Sequence, residues 1–235
     1  MRYSGGMKFE KITEWIAKTL DVAAFDDVSN NGVQIARRGA EVKKVAFAVD
    51  ASVQSVADAV AAGAQMLVVH HGISWGGGIR RLDGGVYHVV KTAMDADLAL
   101  YAVHLPLDAH PKYGNNFGLA RYLGLKDLKP AFACHGHPVG VTGTLPNGKK
   151  VGVCSGGGGS FAADAQALGC DLFITGEADW GETVAAENIG MPMICAGHYQ
   201  TETFGVKALA AAMKKALKVE TVFLPRQQAA ADCDR

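Results

Sequence analysis

The chain has 235 residues, 49% of them apolar and 20% charged, the balance of an ordinary globular protein long enough to bury a real core. Its 23 basic and 23 acidic side chains cancel. That weighs against nucleic acid or an anionic membrane surface as a partner.

Along the chain, apolar strand-like runs alternate with amphipathic helical ones. Residues 8–19 have helix periodicity, Val45–Val49 reads as a strand, Val53–Ala61 as a helix and Met66–Val69 as a second strand. Val86–Met94 is helical, Leu98–Val103 a strand and Asn116–Leu123 helical. After a less regular stretch the order returns, with strand Val151–Cys154, helix Phe161–Leu168, strand Leu172–Thr175, helix Thr183–Asn188, strand Met193–Cys195 and a long helix Glu202–Ala216. Strands alternating with helices predict an α/β fold. No apolar run approaches a bilayer span, and MRYSGGMKFEKITEWI lacks an apolar signal core, so a cytoplasmic protein without a membrane partner is expected. Met7 offers an alternative start, with residues 1–6 an extension. Cys134, Cys154, Cys170, Cys195 and Cys233 form no C-x-x-C pair and read as reduced, mostly buried thiols.

The second half repeats the first. VADAVAAGAQMLVVHHG (56–72) sets against AADAQALGCDLFITGEA (162–178) without a gap, placing Asp58 on Asp164, Gly63 on Gly169 and His70-His71 on Gly176-Glu177. A shorter offset puts His104 on His198 and Asp108 on Glu202. This predicts two related α/β lobes from an internal duplication, residues 1–124 and 151–235, joined by 125–150. The chemistry-bearing side chains would converge between them, at the carboxyl ends of the strands.

Those side chains fall in three clusters: His70-His71, His104 with Asp108, and His198 with Glu202. Imidazoles and carboxylates are the ligands of divalent transition metals, and these are too many for one four-coordinate ion. They suit a two-metal site. Consecutive strand residues point to opposite faces, so His70 and His71 serve one ion only if the chain turns at Gly72; otherwise each serves its own. Pro106 argues against a regular helix between His104 and Asp108, predicting an ordered loop there. His104 could be a ligand, an orienting partner or a general base, and Asp108 a ligand or orienter. A helix beginning near Thr201 would bring His198 and Glu202 to one face. Glu177 is a weaker candidate for base or orienter. CSGGGGS (154–160) lacks the G-K-[ST] ending of a P-loop and reads as a tight turn beside the site, with a phosphate cradle as the alternative. Asn30-Asn31-Gly32 signals a turn. His110 is expected to be solvated, and His135 with His137 to sit in a loop without an ion.

NNGVQI, VVHHGISWGG, YAVHLPLDAHPKYGNN, CSGGGGSF, FITGEADW and AGHYQTE, in this order, resemble the GTP cyclohydrolase I type 2 homologues, also called NGG-interacting-factor-three-like dinuclear metal proteins. The resemblance spans about Met7 to Leu224 and is closest to compact bacterial members. It implies His70 and Asp108 on one ion, His71 and His198 on the other, Glu202 bridging, and His104 beside the site. It also implies a hexameric, ring-like assembly. One departure is that ADWGETVAAEN contains no histidine where many members have one. The segment 125–150 also differs from close relatives. Two divalent ions (Zn, Fe, Mn, Ni or Co) imply a metal-dependent hydrolase of a small phosphorylated or nucleotide-like substrate, with His104 and Glu202 as its catalytic residues. The alternative is a non-catalytic metal-binding assembly, acting as chaperone, store or interaction partner.

Overall fold

A computed structural model describes residues 6–226. Cys233 and all but the last residue of the extension 1–6 lie outside the described residues. In chain order the first half contains β1 (Met7–Lys8), α1 (Phe9–Thr19), β2 (Gly32–Ile35), β3 (Glu41–Val42), β4 (Lys44–Asp50), α2 (Val53–Ala61), β5 (Met66–His71), α3 (Gly84–Asp95), β6 (Ala99–Ala102), α4 (Leu105–Ala109) and α5 (Asn115–Tyr122). The rest is β7 (Lys126–Cys134), β8 (His137–Thr144), β9 (Lys150–Cys154), α6 (Ala162–Ala167), β10 (Leu172–Thr175), α7 (Trp180–Asn188), β11 (Met193–Cys195), α8 (His198–Leu217) and β12 (Glu220–Phe223).

Two five-stranded sheets result, ordered β12-β4-β5-β6-β2 and β11-β10-β9-β8-β7. In the first, β12, β4, β5 and β6 are parallel and β2 is antiparallel. In the second, β9, β10 and β11 are parallel, while β8 pairs antiparallel with both β9 and β7. The repeated unit is therefore strand-helix-strand-helix-strand. It places β5 between β4 and β6, and β10 between β9 and β11, as the alignment of 56–72 with 162–178 requires.

The first sheet is buried on both faces, which explains its unbroken apolar strands. Along β4, Val45, Phe47 and Val49 pack with Ile12 and Ile16 of α1 and Leu209 and Met213 of α8. The intervening Ala46 and Ala48 face Val56 and Ala59 of α2 and Val89 and Ala93 of α3. Helix starts follow the sequence chemistry: Ser52 caps α2 and Asp179 caps α7, each in a reciprocal capping box.

The structure differs from the expected lobe bounds in two places. The stretch 125–150 is not merely a connector, because it supplies β7 and β8 to the second sheet. Its lysines and Pro130 hide the strand pattern. Proline is tolerated there because β7 is the outer strand, where its missing N–H breaks no ladder. Sheet membership also cuts across the expected bounds of residues 151–235. After α8 the chain returns to the first sheet, where β12 pairs with β4 from Glu220↔Lys44 to Phe223↔Phe47.

Candidate metal centre

Five of the predicted ligands and His104 gather where strands β5, β6 and β11 end and helices α4 and α8 begin. β5 runs buried from Met66 into His70, which is 0% exposed. Alternation sends His70 to the face of Met66 and Val68, and His71 to the other. Their rings lie 4.6 Å apart, inclined by 45°. The two rings therefore reach different carboxylate-containing donor groups, although both also fall in one group with His104.

His104 lies two residues beyond β6 and is the N-cap of α4. The expected loop is a short helix, a correction with a simple cause. Pro106 falls in the first turn, where a missing N–H breaks no hydrogen bond and the fixed φ suits a helix. One turn of helix then carries the chain from His104 to the buried Asp108. α8 likewise starts earlier than expected, at His198 rather than Thr201, because Gly197 at φ 92° turns the chain out of β11. His198 and Glu202 share one helix face, with His198 Nε2 3.2 Å from Glu202 Oε1.

Glu202 is the centre of the arrangement. Its Oε1 lies 3.5 Å from His70 Nε2, and its Oε2 lies 3.2 Å from His71 Nε2. Asp108 Oδ2 approaches His70 Nε2 at 3.5 Å. Three groups of three donors, each with its ligand atoms within 4.8 Å of one another, come together here: His70–Asp108–Glu202, His71–His198–Glu202, and His70–His71–His104. The first two share Glu202.

Each imidazole is anchored through Nδ1, which leaves Nε2 for the centre. His70 Nδ1 meets the Val103 carbonyl at 3.0 Å, His71 Nδ1 meets Asp50 Oδ1 at 2.8 Å, His104 Nδ1 meets Asp27 Oδ1 at 2.9 Å, and His198 Nδ1 meets Glu177 Oε1 at 2.9 Å. Such partners fix the tautomer and ring orientation of metal-binding histidines. Asp108 Oδ1 accepts from Asn115 Nδ2 at 2.9 Å and from Ser155 Oγ at 3.3 Å, leaving Oδ2 turned to His70.

The charges are mutually dependent. Burial alone would push the His70 imidazole down, but Asp108 and Glu202 raise it above its ordinary value. His71 is raised to about 10 against its burial by Asp50 and Glu202. His198 is raised to about 9, first by its contact with Glu202. Burial disfavours the charged form of Glu202, yet His70, His198 and His71 hold its carboxyl far below the usual range.

The donors fit divalent metal. His70 Nε2 and Glu202 Oε2 are buried side-chain atoms without a hydrogen-bond partner. Buried polar atoms are seldom left so, and a cation beside each would satisfy both. The set is mixed nitrogen and oxygen without thiolate.

The glycine-rich turn is part of this centre. At Gly156, with φ +64°, a Cβ would fall 2.2 Å from Glu202 Oε1 and 3.3 Å from His198 Nε2. The tight-turn reading therefore fits, and Gly156 leaves room for the shared carboxylate. His110 lies apart from the cluster and is half-buried, its Nδ1 accepting from Lys112 N and Tyr113 N at 3.1 and 3.0 Å. His137 stacks on Phe25 at 4.4 Å and His135 lies 3.8 Å from Asp26, so neither joins a donor group among the described residues. Sequence reasoning missed Asp27, Asp50 and Asn115. Asp50 carried a usable signal, since it ends the strand that pairs with β5 in register with His71. Asp27 and Asn115 carried none beyond residue type.

The sequence profile of Duf34/NIF3 (NGG1p interacting factor 3) matches residues 7–149 and 137–229. The chain belongs to this family. A family relative from Deinococcus radiodurans named GTP cyclohydrolase 1 type 2 homolog is 38% identical, over 92% of this chain and 92% of its own. A relative of the same name from Pyrococcus horikoshii is also 38% identical, over 93% of this chain and 98% of its own. A solved structure from Thermus thermophilus superposes with a TM-score of 0.82 at 32% identity, covering 95% of this chain and all of that one. The two partial profile matches meet near β8, between the repeated units.

Proposed function

We propose that this protein is a dinuclear divalent-metal hydrolase of small phosphorylated or nucleotide-like compounds, working in the cytoplasm as a hexamer. One observation carries the metal reading: two three-donor groups, His70–Asp108–Glu202 and His71–His198–Glu202, meet on a single buried carboxylate. A pair of divalent cations supplies Lewis acidity toward a phosphoryl or carbonyl oxygen and lowers the pKa of a water. The candidates are Zn, Fe, Mn, Ni and Co.

The chain's own groups then have distinct tasks. Glu202 bridges and holds the two donor groups in register. Asp50 and Glu177 orient His71 and His198, and the Val103 carbonyl orients His70. His104, with one nitrogen near the donors and the other on Asp27, can take a proton from an attacking water and return it to the leaving group. The relatives' shared name, GTP cyclohydrolase 1 type 2 homolog, supports including purine nucleotides among the substrates tried. The resemblance to the family supports the hexamer, which light scattering on the purified protein tests directly.

Elemental analysis of protein loaded anaerobically should give two metals per chain, and fewer than one would refute the two-ion reading. Turnover of a phosphoester and nucleotide panel with Mn, Fe, Co or Zn should be abolished by Glu202→Ala. Full metal content with no turnover of any panel member would favour a non-catalytic metal-binding assembly instead.

A further inference from the structure

The segment Asp27–Asn31 does more than make the turn that Asn-Asn-Gly signals. It reaches across the chain to the end of β6. The Asp27 side chain is 2% exposed and takes four donors. Oδ1 accepts from Ser29 N at 3.0 Å and His104 Nδ1 at 2.9 Å. Oδ2 accepts from Asn31 Nδ2 at 2.8 Å and Leu105 N at 2.9 Å. Asn31 Oδ1 in turn accepts from His104 N at 2.8 Å. The segment is itself pinned, with Asn30 N donating to the Ser74 carbonyl at 3.1 Å and Gly76 N to the Val28 carbonyl at 2.7 Å.

A carboxylate surrounded by donors is an ionised, acceptor-only group. His104 Nδ1 must therefore carry a proton toward Asp27. Nδ1 is turned to Asp27, so Nε2 is the nitrogen left to face the ring nitrogens of His70 and His71. The other carboxylates on Nδ1 atoms are more open: Asp50 is 40% exposed and Glu177 61%. Asp27 is the one sealed from water and bound through both oxygens.

We infer that Asp27 is a positioning residue that locks His104 in the Nδ1–H tautomer, presenting a bare Nε2 to the centre as proton acceptor. The proton-acceptor part rests on the hydrolase reading above; the tautomer lock does not. The step balances. A water oxygen bonds to the electrophilic centre of the substrate as its proton passes to Nε2. The bond to the leaving group breaks with its electron pair, and His104 returns the proton there. Asp27 stays ionised throughout and balances the transient imidazolium.

The test uses zinc-loaded full-length protein with 15N-labelled histidine. Wild-type His104 should show a protonated Nδ1 and an unprotonated, uncoordinated Nε2. In Asp27→Asn the side-chain amide can donate to the ring, and the proton should move to Nε2. Turnover of bis(p-nitrophenyl) phosphate should then fall about 10- to 100-fold with metal content unchanged. A wild-type His104 protonated on Nε2 overturns the inference without any variant, so a poorly folding Asp27→Asn does not spoil the test. A folded Asp27→Asn that keeps the wild-type tautomer also overturns it, because a purely structural clasp predicts that result. A zinc-shifted Nε2 would make His104 a ligand and end its role as acceptor. If the tautomer switches as expected but wild type turns over no phosphoester, the hydrolase reading fails and the tautomer lock stands.

Discussion

At the scale of single residues, the centre is a set of acids and bases whose charges depend on one another. In protein stripped of metal, His71 and His198 are raised to about 10 and about 9 from an ordinary 6.5. Their contribution to stability is therefore fully present below pH 6.5 and lost as pH rises through 9 to 10. Glu202 is shifted the other way, so its contribution is present above its ordinary 4.5 and fades as pH falls through its depressed folded value. Urea unfolding of stripped protein across pH should show a plateau between about pH 4.5 and 6.5, then a decline that is complete by about pH 10. Metal must displace the imidazole protons, so loading near neutral pH releases protons and apparent affinity rises with pH. Calorimetry in buffers of different ionisation enthalpy reads the release directly. Metal uptake without proton release would mean that these imidazoles are neutral before metal arrives.

At the scale of elements, how much was legible depended on where the determining interaction lies. The β4 and β5 runs read correctly because burial on both faces leaves an unbroken apolar stretch. The α4 helix did not, because a proline that breaks a helix interior is harmless in a first turn, and the difference is one of position. β7 was hidden because an outer strand tolerates lysine and proline that an inner strand would not. The cluster of donor side chains was legible because its chemistry is in the residue types. Asp27 was not, since its partner His104 is 77 residues away and no local pattern announces the pairing. Where local chemistry does decide, the cost of removing it is predictable. Asp179 accepts from Glu182 N at 2.7 Å, and Glu182 Oε2 accepts from Asp179 N at 2.9 Å. Asp179→Ala should lose about 1 kcal/mol in urea unfolding. Because Asp179 belongs to none of the donor groups and its cap bonds stay within α7, metal content should not change. A loss of metal alongside would show that α7 and the centre are coupled more tightly than these contacts imply.

At the scale of the molecule, the centre joins the two sheets through residues drawn from both halves of the chain. His70, His71 and Asp108 come from the first half, and His198 and Glu202 from the start of α8. α8 itself packs Val206, Leu209 and Met213 on the first sheet, while Phe204 lies against the core of the second. Two buried asparagines of α5 complete the connection. Asn115 Oδ1 accepts from Gly205 N at 2.6 Å, and Asn116 accepts from Ser155 N at 2.6 Å while donating to the Val139 carbonyl at 2.7 Å. An ion held by donors from both halves would therefore stabilise the whole fold, because the unfolded chain has no such site. At free metal 1,000 times the dissociation constant the gain is about 4 kcal/mol. For a domain of this size that raises the melting temperature by about 8–16 °C. Scanning calorimetry of stripped and loaded protein should show one transition that moves upward with metal and keeps its cooperativity. Glu202→Gln, which weakens the carboxylate shared by both donor groups, should remove most of that shift. If metal moved only part of a split transition, the ions would be stabilising one half alone, and the centre would not be the joint between the sheets.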